Sequence, residues 1–303
     1  PFCDSPLQAS GALHAGRGAH LITASTEHHA VLNAVKAAGS FGCEITVLDV
    51  GRQGRLDPEK FAASIRPDTI LAAVMLANNE TGVIQDALAI GRMCRDRKIL
   101  FHCDATAAIE KMPVHPYELF CDFLSLSGHK FHAPKGVGAL FVRKGVKAYP
   151  IAYGGEQEEG LRPGTENVAS IVGLGAASRH TEKFVSSGGP ARIEKLRDAM
   201  ESEIGRRLPS VEILSGSSPR ICNTMSVRVP GARNDEMVVC LDRENICVST
   251  GAACAAGASL PSHVIRAMGY ADESAHEVIR VSMGGGNTAA DVDFPANALS
   301  YTL

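Results

Sequence analysis

One short unit recurs through the first half of the chain and limits what it can fold into. Runs of β-branched and apolar residues, "HLITAS" (20–25), "EITVLDV" (44–50), "TILAAVML" (69–76), "ILFHCDA" (99–105), "DFLSLSG" (122–128) and "GALFVRK" (138–144), read as strands. Between them "HAVLNAVKAAG", "PEKFAASI" and "ALAIGRMCRDR" read as amphipathic helices. Strand–helix alternation of this kind predicts an α/β domain on a mainly parallel sheet, with helices flanking it.

Ligands of such sheets gather at the carboxyl ends of the strands. The polar residues of this chain fall there: His28 after the first run, Asn78 and Asn79 after the third, Asp104 closing "ILFHCD", and His129 with Lys130 after "FLSLSG". Around 187–206 the pattern changes to "SSGGP" and a charged helix, "ARIEKLRDAMESEIGRRL". The domain boundary is placed there, with a large domain over 1–187 and a smaller α+β domain over 188–303. The second contains strands "VEILSG", "NTMSVRV" and "VIRVSMG" and helices "DEMVVCLDREN" and "PSHVIRAMG". At 303 residues the length suits two cores better than one.

Composition narrows the function. A net charge of −3 builds in no general attraction for nucleic acid or an anionic membrane, and no apolar run reaches transmembrane length. The first residues, "PFCDSPLQASGALHAGRGAH", lack the charged-then-apolar pattern of a signal peptide, so a cytoplasmic enzyme acting on a small molecule is expected. The nine cysteines include no Cys-x-x-Cys pair, which argues against a zinc ribbon or a thioredoxin-like site. Most lie in apolar segments such as "MVVCLD", where a thiol behaves as a small buried hydrophobe. Cys254 differs, standing in "STGAACAAGASL" among small residues. A metal site from His28, His29 and Cys254 is not expected, because adjacent side chains diverge on a helix or strand.

A carboxylate closing one strand and a lysine following the next are what pyridoxal phosphate requires. The lysine amine bonds to the aldehyde, and the carboxylate pairs with the pyridine nitrogen so that the ring can draw in electrons. Asp104 and Lys130 are candidates for these roles. His28 could stack on the ring and exchange protons, while Ser127 and His129 could donate to a phosphate. Taken singly, each residue has a plainer reading. Asp104 would be a helix cap, Lys130 a solvated side chain, His28 a half-exposed helix start and His129 a partner of the backbone.

Seven motifs in order resolve the choice: "TEHHAVL", "ANNETGVIQ", "HCDAT", "SLSGHKFHAPKGVGALFVR", "GGEQEEGLRPGTENVASIVG", "STGAAC" and "LPSHVIRAMG" continuing to "AHEVIRVSMGGGNT". From about residue 12 to about residue 293 the chain resembles the cysteine desulfurases of the iron–sulfur-cluster and nitrogen-fixation branch of the class V aminotransferases. The selenocysteine lyases are close relatives. The resemblance implies a fold-type I sheet of the seven-stranded type and pyridoxal 5'-phosphate as cofactor. It assigns the covalent cofactor link to Lys130, the pyridine nitrogen contact to Asp104 and the stacked proton-transfer ring to His28. Asn79 would contact the phenolic oxygen or the substrate, and Ser127 and His129 would hold the phosphate. Thr165 would reach the phosphate of a partner subunit in a homodimer, and Arg280 would bind the substrate carboxylate. Cys254 would take sulfur from L-cysteine as a persulfide, leaving L-alanine, and pass it to an iron–sulfur scaffold or another sulfur acceptor. The alternatives are a selenocysteine lyase acting on L-selenocysteine and an impaired family member that cannot hold the cofactor.

The pattern departs from the family in four places. Ala107 stands where a glutamine usually contacts the phenolic oxygen, and Gly285 where an arginine is frequent. The family's opening "Asn-Asn-Ala-Thr" strand and Gly-Thr-Glu phosphate loop do not occur before residue 20, so the chain reads as an N-terminally truncated copy. The last helix is expected to be a stub, "FPANALSYTL".

Overall fold

The structure, a computed structural model, describes residues 19–251 and 261–292. Each of the six predicted strands of the first half forms: β1 (His20–Ala24), β2 (Glu44–Leu48), β3 (Thr69–Ala73), β4 (Leu100–Asp104), β5 (Phe123–Ser127) and β6 (Gly138–Val142). They make one sheet in the order β2-β1-β3-β4-β5-β6, with every neighbouring pair parallel except β5 and β6. The sheet therefore has six strands among the described residues, where the resemblance implies the seven-stranded type.

Helices α1 (His29–Ser40), α2 (Pro58–Ser64) and α3 (Ala87–Asp96) supply the crossovers that parallel neighbours need. Their starts are set by local side chains: His28, Asp57 and Asp86 each accept a backbone N–H of the first turn. The inner strands are covered on both sides. All five residues of β1 are buried, and β4 carries Phe101 and Cys103 with no exposed surface. Burying a side chain the size of Phe101 is worth about 1.5–3 kcal/mol, so β4 is a rigid base for whatever its end presents.

After β6 come two helices that differ in packing. The first, α4 (Val168–Ser186), buries only Ala177. The second, α5 (Gly189–Arg207), buries Ile193, Met200 and Ile204 against a three-stranded antiparallel sheet ordered β7 (Glu212–Leu214), β8 (Thr224–Arg228), β9 (Val278–Ser282). Arg197 on α5 is itself buried and donates from Nη1 to the Ile221 carbonyl at 2.8 Å. Short helices α6 (Asn234–Arg243), α7 (His263–Ala267) and α8 (Asp272–Ala275) complete the chain's described part.

The larger apolar cluster draws on both sides of the 187/188 division. Val264, Ile265 and Met268 of the α7 region pack with Phe61, Ile90 and Phe101. Backbone bonds also join the two sheets: Ile84 N–H donates to Pro219 O at 2.8 Å, and Ile221 N–H to Gly82 O at 2.8 Å. The loop after β3, which holds Asn78 and Asn79, is thereby fixed against the approach to β8. No helix among the described residues is long and apolar enough to cross a membrane.

Candidate active site

Because β1, β3, β4 and β5 run parallel, their carboxyl ends share one edge of the sheet, and the chemistry-bearing residues collect there. Asp104 ends β4, pairs with Ser125 of β5 and is buried. One carboxylate oxygen, Oδ1, accepts the Thr106 N–H at 2.9 Å, so Asp104 caps a turn and not the helix that the plainer reading expects. Oδ2 is left for another donor. The fold thus puts a buried carboxylate at the end of a strand whose other residues cannot move easily.

Lys130 follows β5 in a single 3-10 turn, Gly128–Phe131, and is exposed. Gly128 is required by space. A Cβ there would lie 2.9 Å from both Ala133 Cβ and Leu174 Cδ1, and 3.0 Å from the Val137 carbonyl oxygen. His132 ends the turn in the left-handed region, at φ 71°, and its N–H donates to Gly128 O. A cluster that sequence reasoning missed clamps this turn. Glu110, itself at a φ of 72°, contacts Lys111 Nζ at 2.5 Å and His132 Nε2 at 2.9 Å. Lys111 Nζ also donates to the Lys130 carbonyl at 3.1 Å. The backbone of Lys130 is therefore held from both sides while its amine is exposed. The pairing of "IEK" with "HKFH" carries no spacing rule, so only the fold could bring these residues together.

Ser127 Oγ and His129 Nδ1 lie 2.8 Å apart, a side-chain pair where a backbone partner for His129 was the plainer expectation. Burial first, and then the positive charges of Lys130 and Lys135, lower the proton affinity of the His129 imidazole. A neutral ring with one nitrogen on Ser127 has its other nitrogen available for an anion's hydrogen bond.

His28 is the N-cap of α1: its Nδ1 accepts the Ala30 N–H at 3.2 Å, and the residue is half-buried, as the helix-start reading expects. Next to it, the His29 and His263 rings are tilted with centroids 4.2 Å apart, and His263 Nε2 lies 2.9 Å from the Glu27 carbonyl oxygen. Asn78 is buried and ties the β1 turn to the β3 loop, its Nδ2 donating to Thr26 O at 3.0 Å. Its Oδ1 accepts the N–H groups of Glu80 and Thr81, both at 2.9 Å, which fixes the backbone around Asn79. The carbonyl of Asn79 then accepts Arg280 Nη1 at 2.9 Å, bringing β9 of the small sheet to the edge of the large one. Arg280 also bridges Ser249 through two backbone bonds of 2.7 and 3.1 Å.

Other predicted positions fall apart from this group or outside the described residues. Thr165 is exposed in the loop before α4. Ala107 is half-buried and packs on the main core, so that position offers a methyl and no hydrogen bond. Gly285 lies in a turn held by Arg192, whose guanidinium donates to the carbonyls of Gly285 at 2.5 Å and Asn287 at 2.8 Å. Cys254, the phosphate loop sought before residue 20 and the final stub lie outside the described residues. Gly251, within the "STGAAC" motif and the last described residue before Cys254, has φ 118°, and a Cβ there would sit 2.8 Å from Glu80 Oε2. Among the described residues no group of histidine, cysteine and carboxylate side chains could hold a metal ion.

The donor set fits pyridoxal phosphate at three points: a buried carboxylate for the ring nitrogen, an exposed amine for the aldehyde, and a hydroxyl–imidazole pair for phosphate. At the phenolic oxygen Ala107 contributes nothing polar.

The chain is similar to known proteins along most of its length. The family described as aminotransferase class-V matches residues 7–294. Cysteine desulfurase IscS of Methanosarcina thermophila is 40% identical over 277 residues, covering 91% of this chain and 68% of the relative. The crystal structure of a NifS-like protein from Rickettsia africae superposes with a TM-score of 0.83 at 30% identity, over 99% of this chain and 80% of that one. A structure described as SspA in complex with cysteine has a TM-score of 0.75 at 30% identity, over 94% of this chain and 78% of that one. The match spans both sheets and every motif on the shared strand edge: the chain belongs to the class-V aminotransferase family.

Proposed function

We propose that the chain is a pyridoxal phosphate-dependent cysteine desulfurase, converting L-cysteine to L-alanine and taking the sulfur onto Cys254. The observation that carries this reading is the pairing of buried Asp104 with exposed Lys130 at the ends of adjacent strands. It is supported by a relative named cysteine desulfurase and a structural neighbour described in complex with cysteine.

When bound, the cofactor supplies an aldehyde for amines and a ring that draws in electron density. The chain's own residues do the rest. Lys130 would hold the aldehyde through its amine, and Asp104 would accept the ring N–H through the oxygen not used by Thr106. Ser127 and His129 would donate to phosphate, Asn79 would contact the phenolic oxygen or the substrate, and His28 would stack on the ring and move a proton. Arg280 binds the substrate carboxylate, a task suited to its planar fork of donors. The Cys254 thiolate attacks the substrate sulfur. An S–S bond forms, the C–S bond breaks, and carbon keeps the electron pair and takes a proton to become alanine. The persulfide then passes to an iron–sulfur scaffold or another sulfur acceptor in the cytoplasm.

A homodimer is part of the proposal. It is supported by the exposure of Val168 and Val172 on α4 and of Ile151 and Tyr153 before it, each 63–89% exposed. Thr165, in the exposed loop before α4, would reach the phosphate of the partner subunit. We also keep the division at 187/188, with the Cys254 segment in the smaller unit.

The experiment is incubation of the purified chain and cofactor with L-cysteine, following alanine release and the intact mass of the protein. Alanine release with one sulfur added at Cys254, both lost in Cys254→Ala, is the expected result. Alanine formed equally well by Cys254→Ala would mean that sulfur leaves the substrate without passing through Cys254, and would contradict the proposed persulfide step. The ratio of rates on L-cysteine and L-selenocysteine separates a desulfurase from a selenocysteine lyase.

A further inference from the structure

Glu27 is the most deeply buried carboxyl group at the strand edge, and the chemistry above gives it no task. It has no exposed surface. Its Oε1 accepts the Met75 N–H at 2.6 Å, while its Oε2 is buried with no hydrogen-bond partner among the described residues. Arg and Lys side chains form ion pairs with many acids here, but none with Glu27 among the described residues. An ionised carboxylate so placed would carry the full desolvation cost of a buried charge with a single N–H to offset it.

Its position matters more than its burial alone. Glu27 sits on the β1–α1 turn beside His28 and reaches over the end of β3, which lies between β1 and β4 in the sheet. The charge of Asp104 is close enough to act on it, and it acts on Cys103 of β4 in turn. From α7, the His263 ring lies against its backbone carbonyl oxygen, at 2.9 Å. Burial, and then the negative charge of Asp104, raise the Glu27 carboxyl well above the usual range, against the smaller effect of the Met75 N–H.

We propose that Glu27 is a neutral carboxylic acid in the working protein: it ties the His28 turn to the end of β3 without placing a second negative charge near Asp104. Asp104 is then the one anion facing the cofactor's ring nitrogen, which rests on the reading given above. Two ionised carboxylates at this edge would raise each other's proton affinity and compete for the ring proton.

The test uses the full chain with 13C-labelled glutamate carboxyls, titrated by NMR without cofactor. One carboxyl that is still protonated at neutral pH, after the ordinary glutamates have ionised, and that disappears in Glu27→Gln is expected. Glu80, also buried with its carboxyl pushed upward, is assigned separately with Glu80→Gln. Glutamate carboxyls all ionised at neutral pH would overturn the proposal, and the native titration alone gives that answer if Glu27→Gln does not fold. The cofactor-loaded protein gives the second readout. The pH midpoint of the bound cofactor's visible band should move by less than about 0.3 unit in Glu27→Gln, since one neutral group replaces another. A shift of about one unit or more would mean that Glu27 carries charge. Because the NMR titration needs no cofactor, loss of the desulfurase reading and loss of this proposal are separate results.

Discussion

The ends of β4 and β5 lie side by side in the sheet and are built in opposite ways. Asp104 at the first is buried, capped by Thr106 and set on a strand whose Phe101 and Cys103 are closed to solvent. Lys130 after the second is exposed, on a turn whose backbone is clamped by Glu110, Lys111 and His132. The difference matches what each group must do. A carboxylate that polarises a ring gains from low dielectric and a fixed position, whereas an amine that must be gained and released needs a free end on a fixed base.

The contrast can be broken from either side. Lys130→Ala removes the only covalent attachment proposed, and cysteine-dependent alanine release should fall by on the order of 10³-fold or more, while Lys135→Ala leaves it within about twofold. Asp104→Asn keeps the Thr106 cap but loses the charge. Its expected cost is about 10²-fold in the same assay, with the cofactor still attached to Lys130. Equal losses in both variants would mean that the two turns do not divide the work.

Smaller effects sharpen the comparison. Glu110→Gln removes the charge that gathers Lys111 and His132 in a nearly buried site, and should lower stability by about 1–3 kcal/mol in urea unfolding. It should also broaden the reactivity of Lys130 toward amine reagents, since the turn loses one side of its clamp. His102 joins the two strands below the site, its Nε2 lying 3.1 Å from Ser125 Oγ. Burial lowers its pKa below 6.5, so at acid pH the unfolded chain takes up a proton that the folded chain refuses. Its contribution is complete above about pH 6.5 and is lost as pH falls toward the folded-state value, with a slope of at most about 1.4 kcal/mol per pH unit. His102→Gln should flatten unfolding free energy against pH in that window and leave it unchanged above.

Much of the fold was legible because it depends on local pattern. Every run read as a strand from "HLITAS" to "VIRVSMG" forms one, since β-branched residues bounded by Gly, Asn and Asp favour that state wherever a core is available. The strand edge was legible too, because parallel order puts all carboxyl ends together. The helix α4 was not. Its apolar residues fall on more than one face and it buries only Ala177, so no single stripe marks it. The Glu110 clamp and the Asn79–Arg280 contact were also beyond reach, because each joins segments whose meeting is decided by the packing of the whole chain. Glu27 lay inside a recognised motif, yet nothing in "TEHHAVL" distinguishes a buried acid from a solvated one. Only its zero exposure and orphaned oxygen do.

The central claim is that one cofactor is held between Asp104 and Lys130. It is tested most directly by mixing the purified chain with pyridoxal phosphate, reducing with borohydride and mapping the modified peptide. The account predicts a single adduct on Lys130, weakened in Asp104→Asn and absent in Lys130→Ala. Label spread over surface lysines such as Lys135 and Lys144, unchanged by either substitution, would contradict it.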